Sequence, residues 1–339
     1  MKHSVVKIFL SVFFLFVLVT FGFSFFILRS PWFWEKAVTK LFNSQSKGAQ
    51  LTLISTQSPQ LQKFILRFKH LKFTIKQARD TYIVDIDTTD VDLRGIFSHK
   101  QMIVHVEGIH IHSSLVEASE GILDLTFHFK ANNLETLNGY LHFFTVDVNK
   151  YVLMNMDADF LCDSKKIVFE HLASDFYQGK LKGKITLEYS PVVTYDMAIN
   201  LDHVNLSSLK TANPDVFSKV RGRIDGTVEA KGDLKRVRFV EAKLNVPEDG
   251  QLKASLLKPL LQYIPQSTQK KDLELLLKLD GLVALERATI ELKSISEDKL
   301  ITIIDLGSKR FNLDSHLTVD LNVEGGLQNL SIYFEKVSK

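Results

Sequence analysis

Hydrophobic and polar positions follow three different rhythms along this chain. Ile8–Leu28 carries no charge at any of its 21 positions. A short stretch with helical spacing comes next. From Gln50 onward the spacing falls to two and stays there for most of the remaining sequence. A 21-residue helix rising about 1.5 Å per residue spans roughly 30 Å, one bilayer core. The run exceeds the usual hydrophobic region of a cleaved signal peptide, about 7–15 residues, and lacks a small-x-small cleavage site. It reads as an uncleaved transmembrane anchor, residues 8–28, behind a tail of residues 1–7.

Ser30-Pro31 then provides a helix start, with serine at the cap and proline at the first helical position. Phe33, Ala37 and Leu41 share one face, as do Trp34, Val38 and Phe42, while Glu35, Lys36 and Lys40 are polar. Trp32 and Trp34 stand where aromatic residues settle at a membrane boundary. The segment 29–44 reads as a short amphipathic helix lying at the interface.

Period two predicts strands with one apolar and one polar face. Phe64, Leu66 and Phe68 alternate, then Leu71, Phe73 and Ile75 alternate in the opposite parity, so a bulge or bend is expected near Lys69-His70. Val84 and Ile86 alternate with Asp85 and Asp87, and Val91 and Leu93 with Asp90 and Asp92. Further strands are expected over Ile103–Ile111, Leu123–Phe129, Gly139–Val148, Tyr151–Phe160 and Ile167–Leu172. Later ones fall at Leu273–Leu279, Ala288–Leu292, Leu300–Ile304, Leu313–Val323 and Leu330–Phe334. Helix is expected in two places. Ser207–Lys210 reads as a short capped turn. Ala254–Ile264 has five apolar residues at helical spacing and stops at Pro265.

One pattern occurs twice. Gly179–Leu187 and Gly222–Ala230 both read Gly-x-apolar-x-Gly-x-apolar-x-apolar, their starts 43 residues apart. In a strand the glycines fall on the apolar face, where they permit curvature or close approach of another backbone. Leu181, Ile185, Leu187, Ile224 and Val228 share that face. If it lines an open trough, these five are its lining. The fold class expected is therefore mainly β: a transmembrane helix followed by an elongated, curled antiparallel sheet forming a groove, with one or two short helices.

Composition narrows the function classes. A net charge of +3 gives no case for nucleic acid as a partner. One cysteine, Cys162, excludes an intrachain disulfide framework and a multi-cysteine metal site. Twenty-five phenylalanines against 16 glycines and 7 prolines argue for much buried or lipid-facing surface and against disorder.

Candidate chemistry is sparse. His110 and His112 share a strand face at a spacing that can hold Zn²⁺ if further ligands arrive from neighbouring strands. Asp85, Asp87, Asp90 and Asp92 are dense enough for Ca²⁺, but the loop spacing, its glycine and its terminal glutamate are missing. Alternation explains both groups as solvated strand faces. Cys162 and His171 carry no catalytic signature, and no phosphate loop, dinucleotide fingerprint, nucleophile elbow or zincin motif occurs. Arg221, Arg223, Lys231, Lys235, Arg236, Arg238 and Lys243 make a locally basic region able to attract anionic headgroups. Neither a catalytic residue, a metal nor a cofactor is expected, and the chain reads as non-enzymatic.

The order of these features resembles the AsmA-like superfamily of bacterial envelope proteins, which takes in TamB and YdbH. The anchor, the strands Phe64–Ile75, Tyr82–Leu93 and Met102–Ile111, the paired glycine strands, the Asn200–Leu206 segment and the closing strands carry the likeness. It implies a single-pass protein of the inner membrane, with its N-terminus cytoplasmic and residues 45–339 a periplasmic β-groove domain. It also implies that membrane phospholipid binds or moves along the groove toward the outer membrane. The alternative expectation is a non-enzymatic envelope assembly factor that contacts other envelope proteins at its sheet edges.

Overall fold

The computed structural model describes residues 36, 39, 49–55, 59–77, 80–114, 116–130, 133–163, 165–188, 192–233, 236–247, 250–255, 271, 274, 275, 277, 278, 281–308 and 313–322. The tail 1–7, the anchor 8–28 and the strand expected at Leu330–Phe334 lie outside them. Within 29–44 only Lys36 and Thr39 are described, both helical. No helix among the described residues is long and apolar enough to cross a membrane.

The protein is mainly β, its strands antiparallel and its helices few and short. It divides into two compact units after Leu134. In the first, β1 (Ala49–Ser55), β3 (Ile65–Gln77), β4 (Asp80–Asp92), β5 (Gln101–His112) and β6 (Val116–Lys130) are hydrogen-bonded in that order. The short β2 (Gln60–Gln62) pairs with β3. Helix α1 (Arg94–Ser98) joins β4 to β5. Phe64 is not in a strand: it sits in the β2–β3 turn at φ 65° with its ring exposed.

The phase slip near His70 has a clear physical form. His70 adopts φ 52°, and β3 and β4 pair on either side of it without bridging at His70. A left-handed residue recurs in register across β4 at Gly108 (φ 68°) in β5, and another stands close by at Glu120 (φ 53°) in β6, where β5 and β6 shift register. One left-handed residue flips the parity of a strand. Because the neighbours shift at matching positions, the apolar side chains stay on one face. Leu66, Val91, Val104 and Leu125 form one cross-strand row. Beyond the seam, Leu71, Ile86, Ile109 and Gly121 form another. Leu53, Leu66, Phe68 and Leu71 are buried as a cluster on this face.

The second unit continues the principle with β7 (Asn133–Val148), β8 (Tyr151–Cys162), β9 (Lys166–Phe176), β10 (Gly179–Glu188), β11 (Thr194–Asn205), β13 (Arg223–Asp233), β14 (Val237–Val246), β17 (Arg287–Ser296), β18 (Lys299–Ser308) and β19 (Leu313–Asn322), hydrogen-bonded in that order. Left-handed residues recur at Asn155, His171 and His203. A separate three-stranded sheet is built from β12 (Val220–Arg221), β15 (Gly250–Lys253) and β16 (Leu282–Leu285). Together with the 3₁₀ turn Ser208–Thr211 and α2 (Pro214–Phe217), it caps one end of the apolar face. Leu252, Val283 and Leu285 pack there on Ala288 and Leu306, and Leu206, Leu209 and Phe217 on Val204 and Ile224.

Two local expectations are corrected. Leu273–Leu279 reads as alternating, but Glu274, Leu275, Leu277 and Lys278 are helical. Leucine, glutamate and lysine are strong helix formers, and Glu274 and Lys278 are four apart in the favourable order. Ser207 precedes the 3₁₀ turn as expected but makes no side-chain capping bond. Of the expected helix Ala254–Ile264, only Ala254 and Ser255 are described, in 3₁₀ conformation.

Candidate functional site

The five residues singled out on the glycine strands do share a face, and register shows how. Leu181 lies opposite Leu201, which lies opposite Gly226, and the row runs on through Leu244 and Ile290 to Ile304. The next row is Gly183, Ile199, Val228, Ala242, Leu292 and Thr302. Ile185, Met197, Ala230 and Val240 form a third, and Leu187, Tyr195, Gly232 and Val237 a fourth. Large and small residues are mixed within each row. A Cβ on Gly183 would lie 2.4 Å from the Ala198 carbonyl oxygen and 2.6 Å from Ile199 Cδ1. One on Gly226 would lie 2.2 Å from the Lys243 oxygen. Only glycine leaves room for these neighbours, and their side chains fold over the space it frees.

The rows are not equally covered. Ile224, opposite Val204, is 8% exposed and enclosed by the cap. Ile185, Leu187 and Val228, further from the cap, and Leu181, whose row partners Leu201 and Leu244 pack against it, are only half-buried. The face is thus a closed core at the capped end; beyond it Ala230, Ala242 and Leu300 are buried again, and the accessible part is confined to Leu181, Ile185, Leu187 and Val228 with their neighbours.

The opposite face is polar and self-neutralising. Arg67 donates to Asp90 at 2.6 Å, and Lys72 lies 3.1 Å from Asp85. Lys184 lies 2.8 Å from Glu170, and Lys231 2.9 Å from Asp196. Such cross-strand pairs favour this register over its alternatives. The bond from Arg67 holds the Asp90 carboxyl below its ordinary range. His105 bonds Glu107 at 2.9 Å and also Asp124; the Glu107 bond is the larger cause of its raised pKa.

This network answers the remaining candidates. Asp85, Asp90 and Asp92 are paired with Lys72, Arg67 and Arg94, as a solvated strand face requires. His110 and His112 are exposed on β5, and His110 lies opposite Asp85. They are not part of any convergent metal-capable set among the described residues. Cys162 pairs along the ladder with Ile167, whereas His171 lies 3.3 Å from Asp159, so the two are not brought together. In the basic region, Lys231, Arg236, Arg238 and Lys243 all have acidic neighbours, which reduces the charge available to headgroups. Lys235 lies outside the described residues.

Two features had escaped sequence reading. Asp202, His203 and Asp225 converge at the β11 bulge. His203 bonds Asp202, its ring lies 3.3 Å from Asp225, and its backbone N–H donates to Asp225 Oδ1 at 2.6 Å. These groups satisfy one another on an exposed surface. The Asp202 bond is the first cause of the raised His203 pKa. The second feature is apolar exposure concentrated on the β7–β8 hairpin.

No family model, curated protein or solved structure matches the chain. The likeness to AsmA-like proteins rests on pattern alone.

Proposed function

We propose that the uncapped part of the apolar face in the second unit binds the acyl chains of membrane phospholipid, and that the protein works as a membrane-anchored lipid-binding or lipid-transfer component of a cell envelope. One observation carries the reading. Four consecutive rows of apolar residues, broken by Gly183, Gly226 and Gly232, stay on one face across β10, β11, β13 and β14, half-buried at Leu181, Ile185, Leu187 and Val228. Burying apolar surface contributes about 25 cal/mol per Å² and needs no directional bond. Neighbouring rows offer an acyl chain nearly equivalent positions, so it can shift along them while its headgroup stays in water. The polar face, already neutralised by ion pairs, keeps the outer side solvated. In this reading Ile8–Leu28 tethers the chain to the inner membrane and the β units stand in the periplasm.

A photo-crosslinking residue placed at Leu187 or Val228 of the full chain, in its native membrane, tests the site. A phospholipid adduct at these positions and none at Lys231 on the opposite face is the expected result. Adducts equally frequent on both faces, or absent from Leu187 and Val228, would remove the apolar face from the mechanism.

A further inference from the structure

Seven of the thirteen large apolar residues that are exposed among the described residues lie on one hairpin, β7–β8. Five of them occupy its distal half. Val148 and Tyr151 pair across the two-residue turn Asn149-Lys150 and are 40% and 41% exposed. They stand on the same side as the buried Val146. Val152, opposite Asp147, and Met154, opposite Thr145, project from the other side, with Phe144 beside them at the Asn155 bulge. The end of the hairpin is therefore apolar on both faces. Elsewhere in this unit the outer face carries ion pairs.

A protein partner docking on a sheet covers one face. An apolar medium surrounds the end of a hairpin on both. Tyrosine with a lysine beside an aliphatic pair is the composition that settles at a membrane boundary, the ring in the interface and the ammonium among phosphates. Lys150 is in the turn, and Lys210, on the 3₁₀ turn that follows β11, lies at the same end of the strands; both suit anionic headgroups. Tyr177 stiffens the tip: its hydroxyl donates to the Lys150 carbonyl and accepts from the Val152 N–H, both at 3.3 Å.

We infer that the β7–β8 hairpin is a membrane-docking wedge whose partner is a lipid surface bearing anionic headgroups. This goes beyond acyl binding on the inner face and stands or falls apart from it.

The test uses the full chain reconstituted in vesicles, with Cys162→Ser removing the native thiol and an environment-sensitive fluorophore attached at Val152→Cys. A second population of vesicles, of phosphatidylglycerol and phosphatidylcholine with spin-labelled acyl chains, is then added. The expected result is a blue shift, quenching by the spin-labelled lipid and protection from aqueous iodide. The same label at Glu241→Cys on β14 should show none of these, and Val148→Ser with Tyr151→Ser should abolish the quenching at position 152. A label at 152 that remains open to iodide overturns the inference. So does one shielded from both iodide and spin-labelled lipid, since that marks a protein contact. Lipid adducts at Val228 are unaffected by either outcome, so failure of the wedge and failure of the acyl site are separately visible.

Discussion

Placing one charge at two points of the same apolar face should give opposite results. Ile224→Asp removes a side chain that is 8% exposed and packs with Val204, Leu206 and Leu209 beneath the cap. Loss of its burial costs about 1.5–3 kcal/mol. A carboxylate left there has neither water nor a cation, which adds about 2 kcal/mol or more, or forces proton uptake. The sum, about 4 kcal/mol or more, is a large part of the roughly 5–15 kcal/mol that holds a domain. Ile185→Asp sits three rows further from the cap, opposite Phe169 and Met197, and is half-buried. Its transfer loss is about half as large, roughly 1 kcal/mol, and its carboxylate reaches water. Circular dichroism melts of the two full-length variants measure the difference. Ile224→Asp should lose its cooperative transition or melt far lower, while Ile185→Asp should stay folded and membrane-bound. Equal melting of the two would refute the division into capped core and accessible face.

The remaining predictions follow from geometry. Gly226→Ala, whose Cβ would lie 2.2 Å from the Lys243 oxygen, should destabilise the fold by about 2 kcal/mol or more, whereas Gly307→Ala, with 3.4 Å to its nearest neighbour, should be tolerated; thermal melts compare them. His105 has a raised folded pKa, so the stability it adds is complete below its unfolded value of about 6.5 and fades as pH rises through the folded one. The melting gap between wild type and His105→Gln should be wider at pH 6 than at pH 8, and an equal gap would remove the Glu107 and Asp124 pairing from the account. His110→Ala with His112→Ala should leave fold and lipid content unchanged, because the two lie on an exposed strand face; loss of lipid in a folded double variant would contradict this.

Much of the sheet was legible because alternation is a local signal. Val84, Ile86 and the aspartates between them predicted β4, and the parity change at Lys69-His70 predicted the seam. A single sequence could not show that the seam is continuous. That depends on Gly108 meeting His70 across β4 and on Glu120 falling close by, a property of pairing rather than of any one strand. Ile224 and Ile185 looked equivalent for the same reason: alternation assigns a face but says nothing of what covers it. The cap came from pieces too short to alternate, such as Val220–Arg221 and Gly250–Lys253, brought together from distant parts of the chain. Leu273–Leu279 reads either way, because leucine stands both at alternate positions and, through Leu273, Leu276 and Leu277, at i, i+3 and i+4. The β7–β8 wedge stayed hidden because Val152 and Met154 belong to a normal-looking strand; only their exposure separates them from core.

The central claim is that phospholipid occupies the uncapped apolar face. The most direct measurement is mass spectrometry of lipid retained by the full chain extracted in mild detergent, alongside the Ile185→Asp variant at matched folding. The account predicts bound phospholipid in the wild type and its loss in the variant. A folded wild type that retains no lipid, or a folded variant that keeps the full load, would contradict it.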